Sequence, residues 1–176
     1  MRDRRFGEAI AVGECKRAAL LVFVGCVSLS VGVLVYLADR VASHAALIPS
    51  IDALGGLHLF GALGQWLPSF VHPLAFSLFT AAVLKRGAAA YGGACAFWAA
   101  VDVAFEVGQH PALAATWTAA LHGELGEWAI ARATLRYFLL GTFDPYDVCA
   151  AMLGALLAGA ALLFFDYSQG GRHASS

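Results

Sequence analysis

Seven side chains between residues 72 and 147 are of the types that bind ligands or move protons. Carboxylates and imidazoles carry general acid–base chemistry in proteins, and arginine side chains bind carboxylate and phosphate groups. Their position in and beside apolar segments predicts a ligand-binding cluster, with no residue assigned to catalysis. The candidate ligand-binding residues are His72, Glu106, Gln109, Arg132, Arg136, Asp144 and Asp147.

The sequence lacks the motifs of several other kinds of active site. The chain has neither the GxSxG motif of many serine hydrolases nor the HExxH motif of metalloproteases. Its four cysteines are dispersed, without the clustered spacing that a thiolate metal site requires. We therefore expect no metal site and no cofactor.

The composition indicates that lipid is the solvent for most of the chain. Of the 176 residues, 60% are hydrophobic and 13% are charged, whereas soluble domains have about 45–50% and about 25% respectively. A soluble domain of this size could not bury that apolar excess. The net charge of −1 and the absence of a Lys/Arg run argue against a nucleic-acid partner.

Four apolar segments are long enough to cross a bilayer, which takes about 20 helical residues. They comprise residues 18–37, 68–84, 88–107 and 146–165. The predicted fold class is an all-α membrane protein, a bundle of four transmembrane helices with amphipathic interfacial helices in the outer loops. Residues 18–165 then form a single transmembrane domain.

The basic residues predict the orientation of this domain, because cytoplasmic loops are enriched in Lys and Arg. They favour a cytoplasmic N-terminus (residues 1–17) and a cytoplasmic tail (residues 166–176). The first apolar run is longer than that of a signal peptide and starts only after Arg17, so we expect an uncleaved first span. The short tail is expected to be disordered. The inner side would hold Arg2, Arg4, Arg5, Lys16, Arg17, Lys85, Arg86 and Arg172, and the outer side Arg40, Arg132 and Arg136.

The two outer segments are predicted to lie in the membrane interface. Residues 38–67 are Gly-dotted and apolar, with Trp66 as an anchor, and residues 111–123 and 124–141 have the pattern of short helices. In the last of these, Arg132 and Arg136 share one face, and Trp128, Ala131, Leu135 and Phe138 share another. The two arginines could bind lipid phosphate or extend to the interface.

Small residues at helical spacing predict how the third and fourth spans pack. Such residues let membrane helices approach closely. A row with Asp102 and Glu106 lies opposite the small-residue stripe of the third span. Both faces therefore need protein neighbours, and we expect the third span to be the central helix. The predicted packing residues are Gly92, Ala96, Ala100, Ala104 and Gly108 in the third span, and Gly154 and Ala158 in the fourth.

The polar residues of successive spans fall at one membrane level, on the outer side. Several of them have structural alternatives that remain open at this stage. His72 precedes Pro73 at a helix start, where a structural histidine is an equal alternative. Asp144 could cap a helix, Asp147 could offset a helix dipole, and Asp102 could be an interhelical hydrogen-bond partner.

The order of these motifs resembles the VanZ-like family of membrane proteins. The resemblance covers about residues 66–160: His72-x3-Phe76, then Glu106-x2-Gln109, then Thr-Phe-Asp-Pro-Tyr-Asp (142–147) and a Gly/Ala-rich helix. It implies a multi-pass protein of the bacterial inner membrane with an accessory role in the cell envelope and in antibiotic resistance. It also implies a polar core of His72, Glu106, Gln109 and Asp147.

Three functional hypotheses follow. The first is binding of a lipid or lipid-linked envelope molecule at the outer polar cluster, with membrane lipids as partners. The second is an intramembrane enzyme in which Glu106 or Asp147 acts as acid or base beside His72. The third is a structural subunit that binds a membrane-protein partner or a second copy of the chain.

Overall fold

The computed structural model describes residues 2–35, 37–38, 59–84 and 86–173, with side chains from residue 12 to residue 168 within those ranges. Short 3-10 turns precede the fourth and fifth helices. Within the described residues there is no strand. The helices are α1 (Arg2–Val35), α2 (Leu63–Val83), α3 (Ala88–Gly108), α4 (Ala114–His122), α5 (Ala129–Leu140) and α6 (Pro145–His173).

Four of these helices are long and apolar enough to cross a membrane. The candidate spans are Val12–Val35, Leu63–Val83, Ala88–Gly108 and Pro145–Ser168. Each carries large apolar side chains that no other described part of the chain covers, as lipid-facing surfaces require, although those of α2 lie only near its two ends. The prediction of an all-α membrane protein with four spanning helices is confirmed.

Several helices extend beyond the predicted segments. Helix α2 begins at Leu63 instead of residue 68, because membrane helices tolerate internal prolines and both Pro68 and Pro73 lie inside it. Trp66 therefore belongs to α2, and most of the predicted interfacial segment, residues 39–58, lies outside the described residues. The prediction of a disordered tail is wrong in part, since α6 continues to His173.

The central helix of the bundle is α2, and the prediction that α3 is central is wrong. Helix α2 packs against α1, α3 and α6, most extensively against α1 and α6. Its small side chains make this possible, because Ala75, Ser77 and Ala81 are fully buried and keep the helix narrow.

The small-residue face of α6 packs as predicted. Ala151, Ala155 and Ala158 are buried, and Gly154 lies against the backbone of Phe70 in α2. A Cβ atom at position 154 would overlap the carbonyl oxygen of Phe70. Glycine is therefore required for the close approach of α2 and α6.

Most of the predicted packing stripe of α3 is not covered by any described part of the chain. Gly92, Ala96, Ala100 and Ala104 are exposed, and Gly108 alone is buried, beneath the ring of Phe138. A strict four-residue spacing drifts around the helix, by about 40° per step at 3.6 residues per turn. The buried face instead combines spacings of three and four, at Tyr91, Ala94, Cys95 and Ala99.

A buried polar network joins the spans near the start of α3. Arg17 of α1 is 5% exposed, and it donates hydrogen bonds to the hydroxyl oxygen of Tyr91 and to the carbonyl oxygen of Ala81. The Tyr91 hydroxyl donates to Asp166 of α6 at 2.8 Å. This network connects the helices at one end of the bundle, and the polar cluster lies at the other end.

Candidate functional site

A cavity of about 1330 Å³ lies at the end of the bundle opposite the Arg17 network. All four spans and α5 contribute to its walls. It is larger than the roughly 300–1,000 Å³ of typical ligand pockets. Five of the seven predicted ligand-binding residues line it: His72, Glu106, Gln109, Asp144 and Asp147.

The antiparallel arrangement of the spans brings these residues together. Helix α3 ends where α6 begins, so Glu106 near the end of α3 meets the turn before α6. The backbone N–H of Asp144 donates to Oε2 of Glu106 at 3.5 Å. This contact links the two elements that carry most of the carboxylates.

Asp144 also caps helix α6. Its Oδ1 accepts a hydrogen bond from the backbone N–H of Tyr146 at 2.9 Å, in the first turn of the helix. The structural alternative for Asp144 is thus realised, while the residue still lines the cavity. Pro145 occupies the first helical position, where its missing N–H has no cost.

Asp147 is tied to α2 across the cavity. The hydroxyl of Ser69 donates to Oδ1 of Asp147 at 3.0 Å. The sequence analysis did not select Ser69, although it precedes His72 by three residues and so lies on the same face of α2. The three-residue spacing between Ser69 and His72 is the sequence feature that could have identified Ser69.

The imidazole of His72 faces Asp102, a residue for which the sequence also allowed a purely structural role. Its Nδ1 lies 3.7 Å from Oδ1 of Asp102 in α3, and its imidazole is 57% exposed. Both residues line the cavity. Asp102 thus faces α2 at a distance longer than a hydrogen bond, on the side of α3 that borders the candidate site.

Gln109 is the most buried polar side chain of the cluster. The residue is 9% exposed, and its side-chain amide makes no hydrogen bond with any part of the chain that the structure describes. It packs against Gly141, where a Cβ would overlap Oε1 of the amide. Gly141 thus leaves room for an amide with unused hydrogen-bonding capacity beside the cavity.

The two predicted arginines do not line the cavity. Arg132 donates to the carbonyl oxygen of Gly126 at 3.3 Å, and both Arg132 and Arg136 are exposed. Helix α5 turns its other side to the cavity, through Ala133, Thr134, Tyr137 and Leu140. The arginines therefore occupy the outer surface of the helix that borders the site.

The remaining walls of the cavity are apolar and aromatic. Helix α1 contributes Leu29 and Val33, and Leu37, just after the helix, also lines the cavity. The rings of Phe76 and Trp98 stack with their centroids 4.7 Å apart, and the Trp98 indole N–H donates to Thr80 at 2.8 Å. The cavity thus combines one polar corner with walls that suit a hydrocarbon chain.

No group of three or more His, Cys, Asp or Glu side chains is arranged to hold a metal ion among the described residues. Comparison of the chain with protein-family models, curated proteins and solved structures finds no match. The functional argument therefore depends on the geometry of the cavity.

Proposed function

We propose that this chain binds a lipid or lipid-linked cell-envelope molecule in the cavity of the bundle. The observation that carries the proposal is the pairing, in one cavity of about 1330 Å³, of a polar corner with apolar walls. The head group would contact His72, Glu106 and Gln109. The chain of the ligand would lie along α1 and the aromatic rings of Phe76 and Trp98.

The size and position of the cavity support this assignment. Polar groups at membrane depth are costly unless they face protein or water, and they commonly mark binding sites. Four carboxyl groups line this one cavity. Asp144 and Asp147 have structural contacts, whereas Glu106 has one long hydrogen bond and Gln109 has none through its side chain.

The proposal extends to location and to family. We place the chain in the bacterial inner membrane with both termini cytoplasmic, as a VanZ-like protein with an accessory role in the envelope and in antibiotic resistance. The bias of basic residues toward one side of the spans supports the orientation. In that orientation the cavity opens in the outer half of the bilayer.

Native mass spectrometry of the detergent-purified protein tests the binding proposal. Wild type is compared with the Glu106→Gln/Asp147→Asn double variant, which removes two charges with little change of shape. The matched control is Glu124→Gln/Glu127→Gln, because both of these glutamates are exposed and neither lines the cavity.

The expected result is a co-purified lipid that wild type and the control retain and the cavity variant loses. Identical lipid adducts in all three folded proteins would contradict the proposal. They would assign these two acids to helix packing alone.

A second candidate function is acid–base catalysis on an envelope lipid, favoured by the His72–Asp102 pair. A carboxylate beside one imidazole nitrogen orients the ring and leaves the other nitrogen for proton transfer. The test is turnover of envelope lipid precursors in proteoliposomes, with and without divalent metal, by wild type and Asp102→Asn. Absence of any product from wild type would end this candidate without affecting the binding proposal.

A further inference from the structure

We infer that the head group held in the cavity is a cationic amine on an amphiphilic molecule. This inference rests on the proposed binding function and specifies the chemical class of its ligand. It starts from the charges that the cavity walls present, and it depends on two acceptor groups whose hydrogen bonds are incomplete.

The described lining of the cavity is strongly acidic. Its only basic side chain among the described residues is His72, which already faces Asp102, and Arg132 and Arg136 lie outside it. An anionic head group here would stand against like charges, which is unfavourable at close range. A cationic head group would find opposite charge on several sides. The carboxyl groups of the lining are Asp102, Glu106, Asp144 and Asp147.

Glu106 and Gln109 supply the second observation. They are three residues apart on α3 and therefore lie on one face. Glu106 accepts one hydrogen bond, at 3.5 Å, from the backbone of Asp144. Gln109 is 9% exposed and its side-chain amide has no partner in the described chain. Each thus has an oxygen available to accept from a ligand.

A primary ammonium group matches this pair. It offers three N–H donors and no acceptor, and its hydrogen bonds to a carboxylate are charge-assisted and stronger than neutral ones. The Glu106 carboxylate would accept one N–H and the Gln109 carbonyl another. The third N–H of the ammonium group is available to donate to the carboxylate of Asp144.

The walls beyond the polar corner fit the rest of such a molecule. Phe76, Trp98 and Phe105 all line the cavity and present apolar aromatic surface. The α1 wall beside them is wholly apolar. An alkyl chain attached to the amine would therefore have an apolar surface to follow.

The test uses three probes with the same chain and different head groups: dodecylamine, dodecanol and dodecyl phosphate. The purified full-length protein in neutral detergent is mixed with all three at equal concentration, and single adducts are counted by native mass spectrometry. Wild type is expected to carry dodecylamine at least about tenfold more often than either competitor. Glu106→Gln should lose that preference, and the exposed control Glu124→Gln should keep it.

The competition on wild type needs no variant and so does not depend on whether Glu106→Gln folds. Equal or greater retention of dodecyl phosphate would overturn the amine assignment while leaving amphiphile binding intact. An amine preference unchanged in folded Glu106→Gln would overturn it as well. Absence of every probe and of every co-purified lipid would instead contradict the proposed function itself.

Discussion

The position of the Gln109 side chain depends on Gly141, a residue far from it in the chain. Its amide packs against Gly141, the residue that ends α5, and it has no hydrogen bond there. The spacing of Glu106 and Gln109 was visible in the sequence, because both lie at the end of one predicted span. The role of Gly141 was not, since it follows from the packing of α5 beside α3.

Replacing Gly141 with alanine should displace the Gln109 amide from its place beside the cavity. The backbone at Gly141 has φ −76°, which alanine adopts without strain, so the added methyl group acts only through its overlap with Gln109. We expect the fold to persist and retention of the cavity ligand in native mass spectrometry to fall several-fold.

Gly123→Ala is the matched control for this change. Its Cβ would meet neighbours at ordinary contact distances of 3.5 and 3.7 Å, so ligand retention should equal that of wild type. Equal retention in Gly141→Ala and Gly123→Ala would show that the position of Gln109 does not matter for binding.

At the level of helices, the sequence predicted which segments span the membrane better than how they pack. The four spans stand out by length and hydropathy, and Gly154 and Ala158 were placed correctly in the contact face of α6. The central position of α2 could not be predicted, because its small residues are mixed with large ones. The stripe from Gly92 to Ala104 was regular in sequence, yet it faces away from the bundle.

The contact between α2 and α6 should be sensitive to one methyl group. Gly154→Ala forces a Cβ against the carbonyl of Phe70, so the helices must separate. Overpacking of this kind costs about 1–3 kcal/mol of unfolding free energy. Thermal unfolding in detergent should therefore show a lower midpoint for this variant.

Gly92→Ala makes the same substitution where a Cβ would meet nothing within 4 Å. Alanine favours a helix over glycine by about 1 kcal/mol, so this variant should be as stable as wild type or more stable. Destabilisation of both variants to a similar degree would mean that the close approach at Gly154 is not what limits stability.

The Tyr91 hydroxyl joins α3 to both α1 and α6, and its removal should weaken the bundle. Tyr91→Phe leaves Arg17 buried without that acceptor and removes the donor to Asp166. Leaving buried polar groups unsatisfied costs about 1–3 kcal/mol. Tyr167→Phe removes a hydroxyl that is 85% exposed and should change the unfolding midpoint little. Equal midpoints for the two variants would assign the network no net stabilising role.

Across the whole molecule, the two ends of the bundle differ in construction. One end is closed by Arg17, Tyr91 and Asp166, which connect three spans through hydrogen bonds. The other end contains the cavity, where the same spans are separated by space and acidic groups. The hydrogen-bonded end and the cavity end are therefore built from different kinds of contact.

This asymmetry makes the orientation in the membrane decisive for function, because it fixes which leaflet supplies the ligand. If both termini are cytoplasmic, α4 and α5 lie on the outer side with the cavity. Thr118 in α4 is exposed, so a Thr118→Cys variant in a chain whose native cysteines are alanine should react with a membrane-impermeant maleimide on intact spheroplasts. A cysteine at position 86, in the turn between α2 and α3, should react only after permeabilisation. The reverse pattern would place the cavity in the inner leaflet and contradict the proposed orientation. The ligand of the acidic cavity would then come from the cytoplasmic side.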